Sequence, residues 1–169
     1  MFARVNFSKL TLMDALDMAS LIEVEAFQRY EYFAAQLGHR DPDDAASMFR
    51  AMAVNEKKHG DQLAERRRVL FGDAPATVKL DDIFDVEAPD FGSPRWDMSA
   101  LKALEMALAS EKKAFAFYDE ALPSVTQPDV KALFLDLRDE EAEHIRMVEA
   151  IIAKLPPEAK IDLEDADAD

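Results

Sequence analysis

The sequence contains no cysteine, so these 169 residues can form no disulfide, thiolate metal centre or catalytic thiol. Only four glycines are present, and no stretch alternates apolar and polar residues as a half-buried strand does. No apolar run approaches the roughly 20 residues of a membrane-spanning helix, and the N-terminus lacks a cationic-then-apolar signal pattern. We therefore expect an all-helical, cytoplasmic protein that contacts no membrane.

Positive charge is also scarce, since 20 Lys and Arg stand against 35 Asp and Glu, a formal net charge of −15. Such a chain is repelled by phosphate backbones, so nucleic acid is excluded as a partner. Much of the acidic excess lies in residues 81–90 and after Glu158. We expect one domain over residues 1–157, followed by an acidic disordered tail over residues 158–169.

Two of the three histidines belong to a repeated Glu-x-x-His pattern, Glu56 with His59 and Glu141 with His144. Residues three apart on an α-helix share one face, so each carboxylate and imidazole could hold the same metal ion. Two such helices, together with two further helices that each carry one Glu, form the dinuclear carboxylate site of a four-helix bundle.

The two further glutamates are present, at the same level of their helices as Glu56 and Glu141. In each of four segments, mainly apolar residues spaced alternately by three and four form a stripe with one Glu near its middle. These glutamates are Glu23, Glu56, Glu111 and Glu141. The neighbours Glu25, Glu140 and Glu143 lie off the stripes, and we expect them to face solvent or to contact the ligands from outside.

Four carboxylates buried at one level of a core would repel one another strongly. The alternative is that the buried faces of the helices are assigned wrongly, in which case the four glutamates would be ordinary surface charges. Two motifs and two further glutamates in the same register favour the metal site, because two divalent cations balance four carboxylates.

The two halves of the chain resemble each other. Residues 15–19 (ALDMA) recur as 103–107 (ALEMA), and the pattern Glu-x-x-Ala-Phe-x-x-Tyr of residues 23–30 recurs at residues 111–118. A duplicated hairpin brings its two sets of ligands together about a pseudo-twofold axis, which predicts two ions rather than one.

Capping and turn residues predict four helices, at about residues 11–37, 43–71, 98–122 and 129–155. Thr11 or Ser8 is expected to cap the first helix, and Asp97 or Ser99 the third. Short loops make helices 1 and 2, and helices 3 and 4, antiparallel pairs. The middle segment, residues 72–96, is long enough to cross from one end of the bundle to the other.

Residues 23–34 (EVEAFQRYEYFA) resemble the first-helix pattern of the rubrerythrin branch of the ferritin-like superfamily. Glu56-Lys-Lys-His59 and Glu141-Ala-Glu-His144 resemble its second-helix and fourth-helix motifs, and the similarity covers residues 12–155. The resemblance implies a ferritin-like four-helix bundle, a homodimer as such proteins often are, that holds two iron ions and reduces peroxide or dioxygen.

The chain departs from rubrerythrins in two respects. It has no cysteine-ligated rubredoxin domain, so turnover would need an external electron donor, rubredoxin-like or other. It also has Ala114 where rubrerythrins carry a second Glu on the third helix. The remaining set of four Glu and two His is similar to that of bacterioferritin, although that family's haem-ligating Met is Lys57 here.

The resemblance implies six metal ligands: Glu23, Glu56, His59, Glu111, Glu141 and His144. Glu56 and Glu141 would bridge the two ions. Glu23 and His59 would be terminal ligands of one ion, and Glu111 and His144 of the other, although this pairing could be swapped. Iron is expected, with manganese or zinc as possible substitutes. Tyr30 and Tyr118 are candidates to assist catalysis by orienting ligand carboxylates. Alternatively, they are ordinary core tyrosines.

The leading functional hypothesis is a non-haem di-iron oxidoreductase. The alternatives are an iron-binding or storage ferroxidase, a hydroxylase with the same ligand set, and a metal-free helical interaction module. An acidic surface argues against the hydroxylase, which needs an apolar substrate channel.

Overall fold

The computed structural model describes residues 5–37, 45–79 and 98–160. They form four α-helices: α1 (Leu12–Leu37), α2 (Ala45–Phe71), α3 (Ala100–Ala121) and α4 (Pro128–Lys154). Three short 3-10 turns accompany them, at Phe7–Lys9, Leu122–Ser124 and Pro157–Lys160. None of these described residues lies in a strand, which confirms the all-α prediction. Of the expected tail, residues 158–160 belong to the last turn, and 161–169 lie outside the described part.

Side chains fix the starts of two helices. Thr11 and Asp14 form a reciprocal cap at α1, because the Asp14 amide donates to Thr11 Oγ1 at 3.2 Å and the Thr11 amide donates to Asp14 Oδ2 at 3.3 Å. Ser99 Oγ accepts from the amide of Lys102 at the start of α3. The cap of α1 is therefore Thr11 rather than Ser8. Gly72, with φ of 58°, follows the end of α2.

α1 packs on α2 and α3 packs on α4, each pair antiparallel. In both pairs a residue early in one helix contacts a residue late in the other. The contacts are Asp17 with Arg67, Tyr30 with Phe49, Asp119 with Arg138, and Lys112 with Glu149.

The apolar core is divided into two clusters. One joins the start of α1, the end of α3 and the start of α4, including Leu16, Phe117 and Phe134. The other joins the end of α1 with the starts of α2 and α3, including Phe33, Phe49 and Leu104. Because α2 and α3 begin at the same end, the end of α2 at Phe71 and the start of α3 at Ala100 lie at opposite ends of the bundle. The predicted crossover is therefore confirmed by the positions of its ends.

The predicted stripes are buried over most of their length. Leu12 and Ala100 are half-buried at the helix starts, whereas Arg66 and Leu70 near the end of α2 are exposed. Among the residues described, no helix is both long and apolar enough to cross a bilayer. The architecture is an all-α four-helix bundle with a polar layer between its two apolar clusters.

Candidate metal centre

The polar layer contains the six side chains that the sequence singled out. All four glutamates are at most 3% exposed, and His144 is 5% exposed. The His59 side chain is more open, at 18% exposure. Each of the four helices therefore supplies one buried carboxylate at mid-length, and α2 and α4 each add an imidazole one turn later.

His144 lies among three carboxylates. Its Nδ1 atom is 3.2 Å from Glu111 Oε2, 3.3 Å from Glu56 Oε1 and 3.6 Å from Glu141 Oε2. Burial disfavours the imidazolium. The hydrogen bonds to Glu111 and Glu141 and the charges of Glu56 and Glu111 outweigh that effect, so the pKa of His144 rises to about 12. In the metal-free chain this ring holds a proton that a metal ion would have to displace.

His59 has a different environment. Its Nδ1 atom is 4.0 Å from Glu23 Oε2 and 3.9 Å from Glu140 Oε2. The His59 ring lies nearly parallel to that of His144, with centroids 5.7 Å apart. Among the residues that the structure describes, three sets of ligand atoms lie within 4.8 Å of one another: Glu56 with His59 and His144; Glu111 with Glu141 and His144; and Glu23 with His59 and Glu140.

The donor set fits metal ions. Glu56 Oε1 and His59 Nδ1 are both buried and make no hydrogen bond. Glu56 Oε1 has only its ion pair with His144, and His59 Nδ1 has only carboxylates at 3.9 Å and 4.0 Å. Such poorly satisfied buried atoms are costly unless a metal ion binds them. Carboxylate oxygens and imidazole nitrogens suit ferrous iron, manganese and zinc. Glu56 lies near both histidines, Glu23 lies with His59, and Glu111 lies with His144.

The two tyrosines occupy corresponding places. Both are fully buried, and each packs against the phenylalanine of the next helix, Tyr30 on Phe49 and Tyr118 on Phe134. The Tyr30 hydroxyl donates a hydrogen bond to Oε1 of Glu111. Tyr30 thus contacts a candidate ligand on α3, and either interpretation of this tyrosine allows such a partner.

Of the three neighbouring glutamates, Glu143 faces solvent and pairs with Arg146. Glu140 is partly exposed, at 44%, yet its carboxylate approaches His59. The stripe rule did not select Glu140 as a ligand. No spacing along the sequence could have indicated it, because Glu140 approaches a histidine on a different helix.

A groove of about 170 Å³ between α2 and α4 reaches His59, and is lined by His59, Gln62, Leu63, Arg66, Leu133, Asp136, Leu137 and Glu140. A larger groove of about 1060 Å³ lies on the outer side of α2 beside Phe27 and Glu31 of α1. The larger groove contains none of the six predicted ligands, so the smaller one is relevant to the metal centre.

Comparisons with known proteins agree with this geometry. A ferritin-like domain family model matches residues 13–157. The crystal structure of an uncharacterized conserved protein from Magnetospirillum magnetotacticum MS-1 is similar, with a TM-score of 0.71 and 30% sequence identity over 87% of this chain and 97% of that chain. No curated protein matches. With its four-helix bundle, central layer of glutamates and histidines, and matched family model, the chain belongs to the ferritin-like family.

Proposed function

We propose that the protein is a di-iron oxidoreductase of the rubrerythrin type that reduces peroxide or dioxygen. The observation that carries the proposal is the grouping of four buried carboxylates and two imidazoles at one level of the bundle. Two ferrous ions held there would supply two electrons, enough with two protons to reduce one hydrogen peroxide to two waters.

The residues of the chain have separable roles in this proposal. Glu56 and Glu141, with their histidines one turn later, would hold both ions from α2 and α4. Glu23 and Glu111 would complete the set from α1 and α3. Four carboxylates would balance two divalent cations, so the charge that destabilises the metal-free layer is removed on loading.

Tyr30 would orient Glu111. Its ring is held by Phe33 and Phe49, with centroids 6.0 Å and 5.9 Å away, so the hydroxyl has a fixed position. A donor in a fixed position limits the rotamers of the carboxylate that accepts from it. Tyr118 is proposed for the corresponding role in the other half.

Electrons for turnover would come from a donor outside these residues, because a chain without cysteine has no rubredoxin-type centre. A separate rubredoxin-like protein or another small donor would fill this role. The homodimer implied by the resemblance is also a proposal, as is iron rather than manganese or zinc.

The test is the iron retained per chain after anaerobic addition of Fe(II), brief exposure to air and desalting. The expected result is two irons per chain, which hydrogen peroxide or dioxygen then oxidises in a stopped-flow experiment. Tens of irons per chain would instead indicate a storage ferroxidase. No retained iron in the wild-type chain would overturn the proposal. Glu56→Gln should lose the iron, and Glu143→Gln, an equal change at an exposed position, should keep it.

A further inference from the structure

Because of the groove between α2 and α4, His59 is more exposed to solvent than His144. Its lining includes His59 and three charged side chains, Arg66, Asp136 and Glu140. The His59 side chain is 18% exposed, whereas that of His144 is 6% exposed. Solvent therefore reaches the polar layer from the His59 side.

The internal repeat shows that the polar lining of this groove is not reproduced at the matching positions of the other half. The alignment that matches Glu56 to Glu141 and His59 to His144 also matches the groove residues to positions in the other half. Glu140 corresponds to Asn55, Asp136 to Ala51, Gln62 to Met147 and Arg66 to Ile151. Charged and amide side chains near His59 thus correspond to mainly apolar ones near His144.

Glu140 is placed to act on the His59 side. Its Oε2 atom is 3.9 Å from His59 Nδ1, and Glu23, His59 and Glu140 offer ligand atoms within 4.8 Å of one another. His59 Nδ1 is itself buried and has no hydrogen-bond partner. The neighbouring Glu56, 3% exposed, has a carboxylate oxygen that makes no hydrogen bond, although it is ion-paired with His144 at 3.3 Å. The unpartnered Nδ1 of His59 therefore indicates that a cation belongs beside His59.

We propose that Glu140 is an exchangeable ligand of the ion held by Glu23 and His59, and that ions reach this position through the groove between α2 and α4. The inference rests on the proposed metal function. Because its side chain is 44% exposed, the Glu140 carboxylate can bind a hydrated cation from solvent and then share it with His59. Asp136 and Glu140 outweigh Arg66 in charge, so the groove attracts cations.

Glu140 approaches from α4 on the His59 side, and Asn55 stands at the corresponding position of the other half. The ion near His59 would therefore have one more carboxylate donor than the ion near His144.

Cobalt(II), which stays divalent in air and absorbs in the visible range, is the probe for the first experiment. Wild type should bind two Co(II) ions per chain. Glu140→Gln should weaken one of the two by about tenfold or more and leave the other unchanged, as loss of a ligand or its partner does. Glu143→Gln, the same change at an exposed position of α4, should bind as wild type does.

A second experiment tests whether ions enter through the groove, by placing a larger side chain there instead of removing a charge. Gln62 and Met147 are exposed, correspond in the repeat, and lie beside His59 and His144 respectively. Gln62→Phe should slow Co(II) uptake in stopped flow by about tenfold, whereas Met147→Phe should not. Circular dichroism checks that each variant is folded.

The outcomes separate the two proposals. If wild type binds no Co(II), both the metal function and the role of Glu140 are overturned. If wild type binds two ions, and Glu140→Gln and Gln62→Phe match it in affinity and rate, the metal function stands and this inference is overturned.

Discussion

The hydroxyl of Tyr30, on α1, donates a hydrogen bond to the carboxylate of Glu111, on α3. The bond joins the two halves of the repeat at the candidate metal centre. Tyr30→Phe keeps the ring in its aromatic cluster and removes only the donor. We expect the affinity for Co(II) to fall by about tenfold, because Glu111 is no longer held in one orientation.

Tyr32→Phe is the matched control for this prediction, since Tyr32 is on the same helix and 46% exposed. It should bind Co(II) as wild type does. Equal affinity in Tyr30→Phe and wild type would show that Tyr30 is an ordinary core tyrosine whose hydrogen bond to Glu111 does not affect metal binding.

Removal of a shared carboxylate should abolish loading without unfolding the bundle. In Glu56→Ala and in Glu141→Ala, one of four mutually repelling charges is lost, so the metal-free fold should remain cooperative. Metal analysis after desalting should find fewer than two ions per chain. Two tightly held ions in either variant would contradict the ligand assignment.

Metal should stabilise the wild-type chain. A ligand at a hundred times its dissociation constant adds about 2.7 kcal/mol to the free energy of unfolding, and for a chain of this size each kcal/mol raises Tm by about 2–4 °C. We expect chelation to lower Tm by about 5–10 °C, and Fe(II) or Co(II) to restore it.

The control changes Glu23, Glu56, Glu111 and Glu141 together to Gln. This variant should fold, and its Tm should not respond to metal. If the Tm of wild type is equally insensitive to chelation and to added ions, the protein is a metal-free helical module.

The cap of α1 predicts a stability that depends on pH. Burial raises the pKa of Asp14, but hydrogen bonds from Thr11 and Thr77 outweigh it and hold the pKa below 3.8. A depressed pKa means that ionised Asp14 stabilises the fold above pH 3.8, and that this contribution is lost as pH falls through the folded pKa.

Asp14→Ala should therefore lower the free energy of unfolding at pH 7 by about 1 kcal/mol, the usual effect of removing a helix cap. The difference from wild type should shrink below pH 3.8. Urea denaturation of both chains at several pH values measures it, and Thr11→Ala tests the partner. A difference that stays constant down to pH 2 would show that the Asp14 charge contributes nothing.

The sequence predicted the helices and the level of the site because both depend on local periodicity. A buried stripe specifies which side chains point inward, so Glu23 was distinguished from Glu25 and Glu141 from Glu143. The stripe does not specify how closely neighbouring helices approach. Arg66, three residues after Leu63, continues the α2 stripe in the sequence, yet it is exposed, because it lines the open groove between α2 and α4.

Glu140 was placed outside the ligand set for the same physical reason. Its Cα lies to one side of the stripe, but the side chain is long enough to reach His59 once the groove leaves space. Only the relative position of α2 and α4 decides this contact, and one sequence does not give that position. The caps of α1 and α3 had two candidates each, and the described hydrogen bonds select Thr11 and Ser99.

The repeated hairpin also has an evolutionary consequence. One hairpin supplies two carboxylates and one imidazole, which is half of the proposed donor set. An ancestor with a single hairpin would have needed two identical copies to form the centre, and both copies would have carried the same residue at any given position. In a single chain that holds both hairpins, each half can change separately. The difference between Glu140 and Asn55 is a change that an assembly of identical hairpins could not have made.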